Sequence, residues 1–220
     1  RLHGAQVFGF TLPLVTKTDG TKFGKTESGT VWLDATKTSP YAFYQFWLGT
    51  ADADVYRFLK YFTFLPINEI EAIEHADRAA EGKPAAQNIL AREVTRLVHG
   101  NEGLAAAKRI TEALFSGDVG ALSVLDLEQV GLDGLPTDYF QRNQFPPTFS
   151  QLLAQLDVAT GKQIKDALSR EAVLINGVPV RGGSKATCEA SLNPDIALHG
   201  RFYLVRFGKK KYHLLLEESY

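Results

Sequence analysis

Lys22 and Lys25 stand three residues apart in the stretch Lys17-Thr18-Asp19-Gly20-Thr21-Lys22-Phe23-Gly24-Lys25-Thr26. Two ammonium groups and a hydroxyl on a polar, glycine-bearing loop can gather around a polyphosphate, where charge-assisted hydrogen bonds are the strong ones. If the charge they meet grows in a transition state, a donor aimed at it is worth roughly 2.7–4 kcal/mol. The stretch is not a P-loop. That motif places four residues between its glycines, whereas three separate Gly20 from Gly24, Asp19 occupies the first glycine position, and no helix follows at once. On spacing alone, a solvated turn is the rival reading.

Other candidates are thinner. Phe43, Tyr44, Phe46 and Trp47 can stack on unpaired bases or pack a core. His3, His75, His99, His199 and His213 have no metal-ligand spacing, and one cysteine, Cys188, makes no zinc site. No Ser/His/Asp set can be assembled from chain order. Glu69, Glu71 and Glu74 beside His75 read as an exposed helix face.

The elements that must position these residues follow from pattern. The chain has 220 residues, 45% of them hydrophobic, which excludes a disordered chain and fits one large or two small domains. No apolar run reaches the ~20 residues of a membrane helix. The net charge is −1, so no global charge marks a nucleic-acid partner, but the tail from Thr148 carries ten Lys/Arg against seven Asp/Glu. A lone cysteine suits a reducing, cytoplasmic setting. The chain starts at Arg1 and contains no Met, which suggests a piece of a longer chain.

Gln6 to Thr16 reads as a strand or two. Ser39-Pro40 starts a helix with one face marked by Phe43, Phe46 and Trp47. Val55, Phe58, Leu59 and Phe62 predict a second helix, and Pro66 opens a third with Ile67, Ile70 and Ile73. Pro84 opens a fourth that stops at Gly100, and a fifth runs from Leu104 to Gly117. These amphipathic stripes require a helical bundle. Between residues 131 and 147 periodicity fails amid glycines and prolines, predicting a linker. Beyond it come two short helices, around Leu152 and after Thr160. A hairpin follows at Val173 to Val180, turned by Asn176-Gly177 with Pro179 on an edge. Strands are expected at 201–207 and 212–216, around Gly208-Lys209-Lys210-Lys211.

Lys22-Phe23-Gly24-Lys25-Thr26 resembles the variant KMSKS signature of class I aminoacyl-tRNA synthetases, in particular the bacterial tyrosyl-tRNA synthetase family. Val7 to Leu14, Asp19-Gly20-Thr21, Thr38 to Tyr41, Phe43 to Trp47, Ala51 to Val55 and Thr95 to Gly100 are similar to that family as well, in the same order. The resemblance implies an enzyme that activates tyrosine with ATP and transfers it to the tyrosine tRNA. ATP enters as substrate, bringing any magnesium with it, and no protein-bound metal is implied. Lys22 and Lys25 become catalytic residues, with Lys25, Gly24 and Thr26 on the ATP phosphates and Lys22 holding departing pyrophosphate.

The implied layout is the end of an α/β catalytic domain with the loop (1–36), a helical anticodon-binding domain (37–130), a linker (131–147) and a small α+β module of the alpha-L RNA-binding type (148–220). Asp54 is implied as a reader of an anticodon base, and Lys162, Lys165, Arg170, Lys209, Lys210 and Lys211 as RNA contacts. The HIGH-type signature and the tyrosine pocket lie upstream of such a loop, so this piece is expected to be inactive alone. Full-length relatives pair through the catalytic domain, compatible with a monomeric piece, and no membrane partner is implied. The competing expectation is a non-catalytic RNA-binding protein built on the alpha-L module, with the lysine loop an inert turn. A purely structural interaction module is the third.

Overall fold

The computed structural model describes residues 8–11, 13–26, 29–208 and 211–218, with only the backbone given for Lys25 and Thr26. Before the first helix there is little regular structure. Thr16 bridges Lys22, and β1 (Lys25–Thr26) pairs antiparallel with β2 (Gly29–Thr30). The strands expected over Gln6–Thr16 are not formed among the described residues. Phe8, Phe10 and Leu14 point to solvent, so the apolar side chains there bury nothing that would fix a pleat.

Four helices follow: α1 (Pro40–Leu48), α2 (Asp52–Phe62), α3 (Ile67–Ala79) and α4 (Ala86–Ser116). Ser39 caps α1 as expected, its hydroxyl oxygen accepting from the Ala42 N–H at 3.1 Å. Helix α4 has no cap of its own. Asp77 of α3 supplies one, accepting from the N–H groups of Ala85 (2.7 Å) and Ala86 (3.0 Å). Gly100 (φ 70°, ψ −175°) breaks α4 into the two helices that the sequence separates, and Gly117 (φ 85°) ends it. Phe43, Tyr44, Trp47, Val55, Phe58, Leu59, Ile70, Leu90 and Val94 make one core where α1 to α4 meet.

A helix that periodicity missed, α5 (Val124–Gln129), carries a capping box between Ser123 and Asp126. The stretch expected as a linker then contains β3 (Thr137–Phe140), which runs parallel to a strand more than seventy residues later. Its local sequence has no alternation, and the partner strand supplies what the local sequence lacks.

Past it lie α6 (Phe149–Gln155) and α7 (Gly161–Ser169), then the hairpin β4 (Val173–Ile175) and β5 (Val178–Pro179). Asn176 (φ 49°) and Gly177 (φ 83°) form the tight turn. A short helix α8 (Cys188–Ser191) leads to β6 (Phe202–Phe207) and β7 (Lys211–Glu217). The mixed sheet has the order β3-β7-β6-β4-β5, which puts Pro179 on the edge as its missing donor requires.

The two central strands are buried on both faces. Tyr203, Val205 and Leu215 face α6 and α7 in one core, while Phe202, Leu204 and Leu214 face Ile110 and Ala113 of α4 and Leu127 near the end of α5 in another. The helical part and the sheet therefore share a core. Tyr212 Oη donates to the Leu114 carbonyl at 2.8 Å across this junction, and within the sheet module Arg142 makes a bidentate ion pair with Glu217, Nε and Nη2 donating at 2.6 and 2.7 Å.

Candidate functional site

The lysine loop rests on α1 and α2. Its stem is a tight reversal in which the Lys17 N–H donates to the Thr21 carbonyl at 2.8 Å and the Phe23 N–H to the Val15 carbonyl at 3.1 Å. Phe23, between the two lysines, turns inward. Its ring lies 4.7 Å from Phe58, 5.1 Å from Phe62, 5.2 Å from Trp47 and 5.5 Å from Phe46, centroid to centroid. Offset and edge-on contacts of this kind are each worth about 0.5–1.5 kcal/mol beyond burial. Lys22 on one side of it is left exposed. On the other side Gly24 takes φ 85°, a conformation open to glycine at little cost, and accepts from the Val31 N–H through its carbonyl at 3.3 Å. Lys25 and Thr26 follow in β1.

A polar grip holds the other end of the stem. Asp54 Oδ1 accepts from the Thr18 N–H at 2.9 Å, from the Thr18 hydroxyl at 2.7 Å and from Arg57 Nη2 at 2.5 Å. The same Arg57 nitrogen donates to the Thr16 carbonyl at 2.8 Å. Asp54 is 3% exposed and sits in the first turn of α2, where the helix dipole favours its charge. This corrects its expected role. A carboxylate buried and committed to three donors is not presented to an anticodon base. The carboxylate on the surface at this helix start belongs to Asp52, and Gln87 Nε2 donates to it at 2.6 Å. Beside the grip lies an open cleft of about 610 Å³ walled by Lys17, Thr18, Phe23, Phe46, Ala51 and Asp54 among others.

Most of the aromatic group resolves as packing. Phe43, Tyr44 and Trp47 are 2–4% exposed and offer no free face for stacking a base, while half-buried Phe46 lies against Phe23 and also walls the open cleft. Burial lowers the pKa of His99, whose ring meets Phe43 edge-on at 4.8 Å. Burial likewise raises the Cys188 thiol to about 11, which keeps it protonated and inert at neutral pH.

The expected RNA contacts divide. Lys162 and Lys165 are exposed on α7 and make no hydrogen bond or ion pair among the described residues. Arg170 is paired with Asp166 one turn earlier, which offsets its charge. Lys211 is exposed, and its Nζ spends one of its three donors on the Val158 carbonyl at 2.9 Å. Lys209 and Lys210 lie outside the described residues. Pattern reading missed Arg181 and Lys185, both exposed, on the turn that packs against α7. The signal was the Arg-Gly-Gly-Ser-Lys run, in which two glycines permit positive φ beside two cations. It also missed Thr18 and Arg57. For Arg57 the cue was its i,i+3 spacing from Asp54, which names the pair but not its partner.

Among the described residues no three His, Cys, Asp or Glu gather to hold a metal ion, and no helix is long and apolar enough to cross a membrane. A family model described as tRNA synthetases class I (W and Y) matches residues 1–116. The tyrosine–tRNA ligase of Aliivibrio fischeri (strain MJ11) is 54% identical over 217 residues, 98% of this chain and 49% of that protein. That of Salmonella newport (strain SL254) is 52% identical over 215 residues, with the same shares. The chain thus spans about half the length of the curated relatives it matches. A C-terminally truncated mitochondrial tyrosyl-tRNA synthetase of Aspergillus nidulans overlaps 39% of this chain and 25% of that one at 40% identity, with a TM-score of 0.37.

Proposed function

This chain belongs to the class I tRNA synthetases of the W and Y group, and from that premise we propose that it is the loop-bearing and tRNA-contacting part of a tyrosine–tRNA ligase. In this reading ATP and tyrosine meet in a catalytic domain whose pocket is not among these residues. The present chain brings Lys22 and Lys25 to the phosphates. Lys25 contacts ATP, aided by Gly24 and Thr26, and Lys22 meets the departing pyrophosphate. Pairing of two enzymes runs through the catalytic domain.

The observation that carries the reading is the seating of Phe23. With its ring locked among Phe46, Trp47, Phe58 and Phe62, the flanking Lys22 is held at the surface, where an inert turn would have no need of so large an anchor. Charge on the phosphates increases toward the transition state, so the ammonium groups act mainly on rate. The test is Lys25→Ala in the full-length enzyme, followed by tyrosine-dependent ATP–pyrophosphate exchange. Adenylate formation is expected to slow by roughly a hundredfold or more while tyrosine binding is unchanged. An unchanged rate refutes the role.

Residues 37–130 serve here as the anticodon-binding part and 148–220 as an alpha-L type RNA-binding module. At the start of α2 the exposed Asp52, oriented by Gln87, is the carboxylate able to accept from a base amino group. Lys162, Lys165, Arg181 and Lys185 provide phosphate contacts around α7. A salt-titrated comparison of tyrosine tRNA with an unrelated tRNA tests this, and equal affinities would exclude base reading. A non-catalytic RNA-binding protein leaves unexplained why the family match takes in the loop and the helices of residues 1–116.

A further inference from the structure

We propose that Asp54 and Arg57 are positioning residues for the lysine loop, so that helix α2 sets where Lys22 and Lys25 reach. The inference rests on the phosphate-loop reading given above.

Its basis is the way one face of α2 takes hold of the loop stem. Asp54 binds the backbone N–H and the hydroxyl of Thr18, and Arg57 binds the carbonyl of Thr16, so the two residues clasp the chain on either side of Lys17. They also bind each other at 2.5 Å, which fixes both rotamers against a single backbone segment. Thr16 bridges Lys22 directly, so a shift at Thr16 is passed to the first lysine through one pair of residues. From the same helix Phe58 and Phe62 hold Phe23, the residue after Lys22. The stem is thus held at a polar end and an apolar end by four positions along α2, Asp54, Arg57, Phe58 and Phe62, spaced i, i+3, i+4 and i+8.

The chemistry at Asp54 is one-sided. Its close partners, two groups of Thr18 and one of Arg57, are all donors. Those three bonds reach Oδ1, and Oδ2 takes a second, longer bond from the Thr18 N–H at 3.2 Å. An asparagine keeps one acceptor oxygen but puts an amide donor where Oδ2 meets that N–H, and it gives up the charge that holds Arg57, while keeping the size of the side chain. Burial makes that mismatch costly for the local geometry without opening a cavity.

The experiment is pyrophosphate exchange in the full-length enzyme carrying Asp54→Asn, with Lys25→Ala alongside. Reacting groups displaced by about an ångström lose rate steeply, so kcat is expected to fall roughly ten- to hundredfold. The KM for tyrosine stays unchanged, the split expected of an interaction made in the transition state. Amide hydrogen exchange at Thr18, Lys22 and Phe23 should speed up while the buried turns of α1 and α4 keep their protection.

A wild-type kcat in Asp54→Asn beside an impaired Lys25→Ala overturns the positioning role and leaves the phosphate-loop reading standing. A wild-type rate in Lys25→Ala overturns that reading, and the positioning role falls with it. If Asp54→Asn does not fold, Thr18→Ala and Arg57→Gln each remove one strand of the clasp at accessible side chains. A several-fold loss of kcat in both then supports the proposal, and wild-type kcat in both defeats it.

Discussion

The helical part (α1 to α5) that carries the lysine loop and the module built on the mixed sheet show two uses of charge. In the helical part some charged groups are spent inside the protein, although Asp52 stays exposed. Asp54 and Arg57 clasp the loop stem, and Asp126, fully buried, binds Arg109 through both oxygens at 2.7 and 2.8 Å while capping α5. In the sheet module Lys162 and Lys165 are exposed and make no hydrogen bond or ion pair among the described residues, and Arg181 and Lys185 are exposed beside them on the neighbouring turn. The contrast separates two meanings of a charged residue. A charge buried against donors or acceptors of its own chain sets geometry, and only a charge left in water is available to a polyanion.

The sharpest way to break the comparison is Asp126→Ala. If this buried charge is structural, losing the carboxylate removes its bonds to Arg109, which is half exposed and returns to water, and uncaps α5, and should cost about 3 kcal/mol in denaturant unfolding. Burial pushes the Asp126 pKa up, but the bonds from Arg109 and Ser123 outweigh it and hold the carboxyl below its ordinary range. A depressed folded value means that this stability is present above the unfolded value of 3.8 and drains away as pH falls through the folded one.

Next in size is Asn176→Ala in the sheet module. It removes bonds to the carbonyls of Ile196 (2.7 Å) and Phe202 (2.9 Å) and one from the Leu204 N–H (2.7 Å), at a residue with positive φ. A loss of about 2 kcal/mol in thermal or denaturant unfolding is expected, with RNA affinity of the remaining folded protein unchanged.

Lys162→Ala and Lys165→Ala sharpen the other side. Neither should move the melting temperature. Each should lower the slope of log affinity for tRNA against log salt by about one. A lysine whose loss leaves that slope intact is not at the RNA. The smallest effect concerns His99. Burial sets its folded pKa below the ordinary 6.5, so the unfolded chain takes the proton more readily. Stability is therefore full above about 6.5 and falls as pH drops below it, and His99→Leu should flatten that fall in a melting series.

What the sequence made legible was local. Ser39-Pro40, the stripe Val55-Phe58-Leu59-Phe62 and the Asn176-Gly177 turn each specify structure through neighbours within one helical turn or one hairpin, and each is found where pattern places it. Strand β3 was invisible because its pairing partner is Leu214–Glu217, far along the chain, and nothing in Thr137–Phe140 alternates. Helix α5 is short, and its one cue, Ser123 three residues before Asp126, lies outside a strong stripe. At the candidate site the lysines and Phe23 were readable as a loop. The job of Asp54 was not, because it is defined by Thr18, thirty-six positions earlier. An acid at a helix start looks the same in sequence whether it faces water, a base or the protein's own backbone.

The sheet order has a further consequence for how the protein comes into being. Strand β7 lies between β3 and β6, so the first and the penultimate strands of the sheet cannot be joined before residue 217 has been synthesised. Until it emerges from the ribosome, β3 has no neighbour, and the far half of α4 lacks part of the surface that covers Ile110 and Ala113. Translation of β7 is thus the step that seals both halves, and a nascent chain stalled before it exposes a sticky apolar seam to chaperones.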